Sequence, residues 1–130
     1  MTPLVIAVAL ACGAIAALAR YTVAVRFARA EDGQERFPWA VLIVNLAGSV
    51  IAGVALGLAE VLGAGDLRYV LLGGVAGGLT TFSTFSVETV QLVMARRARP
   101  ALVSVAANLV GGLLAVVAGW ALTVLLLGGF

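Results

Sequence analysis

The residues best suited to chemistry are collected in one stretch, Leu72 to Glu88, which reads LGGVAGGLTTFSTFSVE. Its first half holds four glycines, and each weakens a helix by about 1 kcal/mol relative to alanine. Its second half holds five hydroxyl side chains, which can bond backbone groups that a broken helix leaves free. We therefore predict a helix break here. Inside a bilayer, irregular backbone is tolerated only where protein or water covers it, so the freed groups would face something bound or conducted.

The composition identifies lipid as the solvent around this stretch. Of 130 residues, 63% are hydrophobic and 11% are charged, with a mean hydropathy of +1.17, which a soluble domain of this size could not hide from water. Apolar stretches of the length a span needs, about 20 residues, cover residues 3–25, 38–62, 67–95 and 101–127. The predicted fold is an all-α integral membrane protein. Residues 1–130 form a single domain of four transmembrane helices, the third broken near its middle.

The composition also restricts the possible chemistry. The chain has no histidine and a single cysteine, Cys12, which excludes an internal disulfide and the usual histidine and cysteine metal or nucleophile sites. Only Asp and Glu remain as acid–base groups near neutral pH, so we expect no enzyme. The net charge of +2 is small and scattered, whereas a nucleic-acid partner requires a basic stripe. We therefore expect no nucleic-acid binding.

Polar residues inside the other spans are the next candidates. Arg20 lies about 26 Å along a helix from Pro3, close to the far boundary of a ~30 Å hydrocarbon core. It is either an arginine that snorkels to the interface or an anion-attracting group at a pore mouth. Asn45 needs a partner or water, so both a structural link and a pore lining are open. Asn45 begins a stripe of small and polar residues, including Ser49, Gly53 and Gly57, that should meet protein.

Two phenylalanines stand among the hydroxyl residues of the third span. Phe82 and Phe85 lie three residues apart, and Glu88 continues the same helix face. Phenylalanines in a membrane helix usually pack or face lipid, but their interleaving with hydroxyl groups favours a functional role. The length of the span agrees with a break, because the residues between Arg68 and Arg96 would form about 40 Å of continuous helix.

Three motifs carry a family resemblance. They are GGLTTFSTFSVE at Gly77 to Glu88, GAIAALARY at Gly13 to Tyr21 and VNLAGSVIAG at Val44 to Gly53. With these motifs in one chain of four spans, the sequence closely resembles the CrcB/Fluc family of fluoride ion channels over nearly its whole length.

The resemblance implies an antiparallel dimer in a bacterial cell membrane, surrounded by lipid, with two fluoride pores and a structural Na⁺ at its centre. Carbonyls at the break of the third helix, at Gly77 and Thr80, would hold the sodium. The residues that match or flank the family's pore are Phe82, Phe85, Asn45, Ser83, Thr84, Ser104, Asn108, Glu88 and Arg20. Many relatives have Tyr and Ser where this chain has Ser104 and Asn108, so we expect a changed conduction rate rather than lost function.

Physical chemistry is compatible with these roles. The edge of an aromatic ring is positive, so two rings turned edge-on could face a partly dehydrated anion. Amide and hydroxyl donors of Asn45, Ser104 and Asn108 could replace the rest of its water, as filter carbonyls do for cations.

Two alternative functions fit a chain of four short spans. A small proton-coupled exporter would need a membrane-embedded carboxylate, yet the first span has none, and Glu60 and Glu88 lie toward span ends. A non-transporting assembly subunit would explain the small-residue stripe but not the cluster of hydroxyl and phenylalanine side chains.

The arginines predict how the chain is oriented. The loops after the first and third spans share one side and hold six arginines, whereas the other side holds only Arg68. The positive-inside rule places those loops in the cytoplasm. An antiparallel dimer needs one subunit of each orientation. Either this chain inserts both ways despite its bias, or it pairs with an oppositely oriented paralogue. Both alternatives remain open, and the arginine bias favours the paralogue. The six are Arg26, Arg29, Arg36, Arg96, Arg97 and Arg99.

Overall fold

The computed structural model describes residues 2–30 and 37–128, except for the side chains of residues 28–30. In this part of the chain, four helical segments are long and apolar enough to cross a membrane. The third is discontinuous, which confirms the predicted all-α membrane protein with a broken third span. The elements are α1 (Pro3–Ala30), α2 (Trp39–Leu62), α3 (Gly65–Tyr69), a π-helix (Val70–Ala76), α4 (Gly77–Leu79), α5 (Phe82–Met94) and α6 (Ala98–Leu127).

Helix ends differ from the predicted spans at both charged connections. α1 continues to Ala30, beyond residue 25, where the first predicted span ends. Residues 31–36 of the predicted connection lie outside the described residues. α6 begins at Ala98 rather than residue 101, because Pro100 falls in the first turn, where a missing N–H costs no helical hydrogen bond.

A tight cap separates α5 from α6. Arg96 adopts a positive φ of 59°, and its N–H donates to the Val93 carbonyl at 3.0 Å. The Arg97 N–H donates to the Leu92 carbonyl at 2.9 Å, which completes a Schellman motif. The connection between the third and fourth spans is therefore shorter than the predicted residues 96–100, and Arg99 belongs to α6.

α2 and α6 run side by side in the same direction and approach closely through glycines. A Cβ at Gly53 would collide with the Val116 carbonyl of α6, and a Cβ at Gly119 would lie 2.5 Å from the Val50 carbonyl of α2. Gly57 is likewise buried, against Thr123. As predicted, the small-residue stripe of α2 meets protein, because only glycine permits this backbone approach.

α1 packs against the first half of the third segment. A Cβ at Gly78 would collide with the Gly13 carbonyl, and a Cβ at Gly74 would lie 2.5 Å from the Ala9 carbonyl. The second half, α5, is much less covered, since Phe82 is 79% exposed and Met94 is 78% exposed within the single chain. The single chain thus leaves one apolar helix face open immediately after the break.

Candidate functional site

The helix break lies at Thr80 and Thr81. Thr80 has φ −76° and ψ 155°, and Thr81 has φ −146° and ψ 119°, both extended. α5 restarts at Phe82 because Thr81 is its N-cap: the Thr81 Oγ1 accepts a hydrogen bond from the Thr84 N–H at 3.2 Å. A cap of this kind stabilises a helix start by about 1 kcal/mol. The sequence therefore encodes both the interruption and the restart.

Asn45 of α2 bonds to the exposed backbone at this break. Its Oδ1 accepts from the Thr81 N–H at 2.8 Å, and its Nδ2 donates to the Thr81 carbonyl at 3.3 Å. The amide thus supplies partners for both polar backbone groups of Thr81, which have left the helical pattern. Of the two roles open for Asn45, the structural link is present in the geometry, and the side chain also lines a cavity.

Asn108 of α6 fixes the orientation of Asn45. The Asn45 Nδ2 also donates to Asn108 Oδ1 at 2.8 Å, and Asn108 Nδ2 donates to the Ser104 carbonyl at 2.9 Å. An amide nitrogen carries two protons, so both donors of Asn45 are engaged, whereas Asn108 keeps one. The amide with a donor left for a ligand is therefore Asn108.

One cavity of about 240 Å³ contains the phenylalanines. Their ring centroids are 6.0 Å apart and the ring planes are tilted by 48°, so the rings do not stack face to face. We name this space the phenylalanine cavity. It is lined by Asn45, Ser49, Thr80, Thr81, Phe82, Phe85, Asn108 and Leu109.

A second cavity, of about 280 Å³, lies between α1, α2 and α5. Arg20 is half-buried in its wall and donates from Nε to the Gly78 carbonyl at 3.3 Å, so the side chain points to the helix break. Thr81, Thr84 and Glu88 contribute the other polar groups. We name this space the arginine cavity. Its remaining lining residues are Tyr21, Ala24, Phe27, Pro38, Trp39, Ala40, Val41 and Val44.

The break also releases backbone carbonyls. In a continuous helix the Thr81 N–H would bond the Gly77 carbonyl, but it bonds Asn45 instead. The Thr84 N–H would bond the Thr80 carbonyl, but it bonds the Thr81 hydroxyl. Within residues 2–30 and 37–128, no cluster of three His, Cys, Asp or Glu side chains could hold a metal. Backbone carbonyls and the hydroxyls of Thr80, Thr81 and Ser83 are therefore the hard oxygen ligands at the break.

The predicted site residues fall into three groups. Asn45, Thr80, Phe82, Phe85 and Asn108 meet at the phenylalanine cavity. A second group, Arg20, Thr84 and Glu88, meets at the arginine cavity. The third group, Gly77, Ser83 and Ser104, lines neither cavity.

Ser104 and Ser83 lie in different surroundings within the single chain. Ser104 is fully buried, and its hydroxyl has no hydrogen-bond partner within the described residues. Ser83 is exposed, with its Oγ 3.4 Å from the Thr81 Oγ1. Neither hydroxyl therefore faces the cavities in the single chain.

Sequence reasoning did not single out Thr81 as a site residue. It is 8% exposed, bonds to Asn45 through its backbone, caps α5 and lines both cavities. A signal was present, because a threonine three residues before Thr84 at a helix restart fits the N-cap pattern.

The fold and the site together define a small multi-pass membrane protein whose polar residues converge on a broken third helix. Its residues 7–120 match the family model described as CrcB-like protein, Camphor Resistance (CrcB), and the chain belongs to that family. The resemblance drawn from the three motifs is thereby confirmed.

Related proteins match along almost their full length. A protein of Rhodococcus jostii (strain RHA1), named fluoride-specific ion channel FluC 2, is 40% identical over 124 residues, 95% of this chain and 99% of the relative. Fluoride-specific ion channel FluC 1 of Thermobifida fusca (strain YX) is 43% identical over 93% of this chain and 94% of the relative. Fluoride-specific ion channel FluC of Clostridium novyi (strain NT) is 35% identical over 94% and 96% respectively.

Proposed function

We propose that this chain is the subunit of a fluoride-selective channel that lets fluoride leave the cytoplasm and so lowers its toxicity. The observation that carries the proposal is the pairing, at one helix break, of two tilted phenylalanines with an amide that keeps a free proton, all in one cavity. Relatives named as fluoride-specific ion channels, which match more than nine-tenths of the chain, support it.

The two cavities suggest how an anion would be handled. The fixed charge of Arg20 would raise the local concentration of anions in the arginine cavity. In the phenylalanine cavity, the positive ring edges of Phe82 and Phe85 and the free proton of Asn108 would replace part of the water that fluoride gives up. Asn45 would act by holding the break in shape, because its own two amide protons are already engaged.

The freed carbonyls of Gly77 and Thr80 fit a structural sodium ion. Neither accepts its ordinary helical N–H, and carbonyl oxygens are hard ligands that suit such a cation. The ion would supply a fixed positive charge. Two carbonyls cannot complete a coordination shell, so equivalent carbonyls of a second subunit would supply further ligands.

A second subunit would also cover the face that a single chain leaves open. Phe82 is 79% exposed although it lines the phenylalanine cavity, so a closed pore would need another surface against it. We propose an antiparallel dimer in the bacterial cell membrane. The partner is a second copy of this chain or, as the arginine bias favours, an oppositely oriented paralogue.

The decisive experiment is anion efflux from liposomes containing the purified protein. We expect rapid fluoride efflux and no chloride efflux above that of empty liposomes, each measured with an ion-selective electrode. Liposomes with equal permeability to both ions would contradict the proposal. So would liposomes that stay impermeable to fluoride both with this chain alone and with an oppositely oriented paralogue added.

The same liposomes distinguish a channel from a proton-coupled exporter. Of its two candidate carboxylates, Glu60 is exposed near the end of α2 and accepts a hydrogen bond from Trp120 Nε1 at 2.6 Å. Glu88 lines the arginine cavity. A channel should pass fluoride down its gradient without a pH gradient, whereas efflux that requires a proton gradient would favour the exporter.

A further inference from the structure

We propose that Thr81 is the constriction through which fluoride passes between the arginine cavity and the phenylalanine cavity, and that its size sets the rate of flux. This inference rests on the proposed channel function. It assigns a rate-determining role to a residue that lies within the motif GGLTTFSTFSVE but was not singled out as a site residue.

Thr81 occupies a unique position between the two cavities. Among the described lining residues, it alone belongs to both walls, and it is only 8% exposed. On one side lie Arg20 and Thr84; on the other lies Phe85. A path that joins the cavities therefore runs past Thr81.

The Thr81 backbone cannot move aside easily. Its N–H donates to Asn45 Oδ1 at 2.8 Å, and its carbonyl accepts from Asn45 Nδ2 at 3.3 Å. Opening the passage by moving this backbone would break both hydrogen bonds within a buried region, which is costly.

The Thr81 hydroxyl is held as well. Its oxygen accepts from the Thr84 N–H at 3.2 Å, and its proton is directed to Thr84 Oγ1 at 3.0 Å. Rotation about χ1 would remove the cap of α5. With backbone and hydroxyl both fixed, the methyl group is the part of Thr81 whose size can be varied without changing any hydrogen bond.

Substitutions that separate size from capping test this role. Thr81→Ser keeps the cap and removes the methyl group, which should widen the passage. We expect fluoride efflux to rise at least about twofold, because even a small decrease in the height of the barrier to permeation has this effect. Thr81→Val keeps the size and removes the cap, so efflux should not rise. If Thr81 were only a helix cap, serine would behave as threonine does.

The matched control is Thr123→Ser in α6. Thr123 is also buried, its hydroxyl donates to the Gly119 carbonyl at 2.8 Å, and it lines neither cavity. This variant should conduct at the wild-type rate. Equal efflux from wild type and Thr81→Ser would overturn the constriction, as would an equal rise in Thr123→Ser.

Thiol labelling gives a readout that does not depend on fluoride. In a Cys12→Ser background, the Thr81→Cys thiol should react with a small water-soluble methanethiosulfonate bearing a sulfonate, because the arginine cavity of about 280 Å³ admits it. The Thr123→Cys thiol in the same background should stay unreactive. An unreactive Thr81→Cys thiol would overturn the inference even where wild-type protein conducts.

The two proposals fail in different ways. Wild-type protein without fluoride efflux, alone and with an oppositely oriented paralogue added, would overturn the channel function and, with it, the assignment of fluoride to this passage. Wild-type efflux that Thr81→Ser leaves unchanged would overturn the constriction alone.

Discussion

Asn45 bonds to both the amide and the carbonyl of Thr81, at 2.8 Å and 3.3 Å. A side chain of α2 thus takes the place of helical hydrogen bonds that the third segment has given up. An unpaired buried backbone group costs about 1–3 kcal/mol, so this contact between helices contributes directly to the stability of the break. Asn108 adds to it by accepting the second amide proton of Asn45.

Replacing Asn45 by leucine should open the break. Asn45→Leu keeps approximately the side-chain volume but leaves the Thr81 N–H and carbonyl unpaired, and we expect a loss of about 1–3 kcal/mol in the free energy of unfolding. Hydrogen exchange at the Thr81 amide should also become faster. Asn108→Leu is the comparison, because Asn45 keeps its two partners on Thr81 and loses only the acceptor that orients it, so exchange should become faster by less than in Asn45→Leu. Equally fast exchange in the two variants would contradict this account.

Replacing the phenylalanines by isoleucine should reduce conduction while preserving the fold. Phe82→Ile and Phe85→Ile each keep an apolar side chain of similar size but remove the polarised ring edge that would face fluoride. Fluoride efflux from liposomes should fall at least about tenfold, which is 1.4 kcal/mol at the barrier. Circular dichroism checks the fold, and wild-type efflux from both variants would remove the rings from the mechanism.

Removing sodium should weaken the dimer and abolish efflux. If the Gly77 and Thr80 carbonyls bind the ion, exchanging Na⁺ for a bulky organic cation removes a fixed charge that no side chain replaces. Thr80→Ala should keep its sodium dependence, because the ligand is a backbone oxygen. Analytical ultracentrifugation and efflux assays measure the two effects; a dimer and a flux indifferent to sodium would rule out the structural ion.

Gly53 should not tolerate even one added methyl group. Gly53→Ala would push a Cβ into the Val116 carbonyl of α6, and overpacking of this kind costs about 1–3 kcal/mol. Gly112→Ala is a matched control on the same interface, since its Cβ would lie 3.4 Å from Ser49 Oγ, and alanine is the better helix former. Thermal unfolding in detergent should rank Gly53→Ala well below wild type and Gly112→Ala near it.

The arginine bias should place the chain in one orientation. Arg96, Arg97 and Arg99 are exposed at the start of α6, and Arg26 is exposed near the end of α1, whereas Arg68 on the opposite side stacks over Tyr69 at 5.1 Å. With topology reporters at the C-terminus, the chain expressed alone should report from outside the cytoplasm. Balanced reporter signals with full fluoride efflux would instead support a dimer of identical chains.

The location of the break could be predicted because its causes are local. Four glycines followed by hydroxyl residues lower helix propensity wherever the segment lies. In the structure the four glycines stay helical, and the break falls just after them, at Thr80 and Thr81, where the Thr81 hydroxyl caps α5. The spans could be predicted for a similar reason, since their length and hydropathy are set by the bilayer. The end of α1 and the start of α6 could not be predicted from composition, because both helices extend into charged connections whose composition is typical of loops.

The role of each polar residue was decided by tertiary structure. From the sequence, an asparagine within the second span could be either a structural link or part of a pore lining. Only the approach of α2 to the break places the Asn45 amide within hydrogen-bond distance of Thr81. Ser104 shares a face with Asn108 in sequence, yet its hydroxyl is buried and lines neither cavity. The amino-acid sequence determined that the third helix must break within lipid and that hydrogen-bonding groups lay nearby. Which groups became partners, and which amide kept a free donor, depended on distances between helices. Those distances are fixed by packing through glycines such as Gly53 and Gly78.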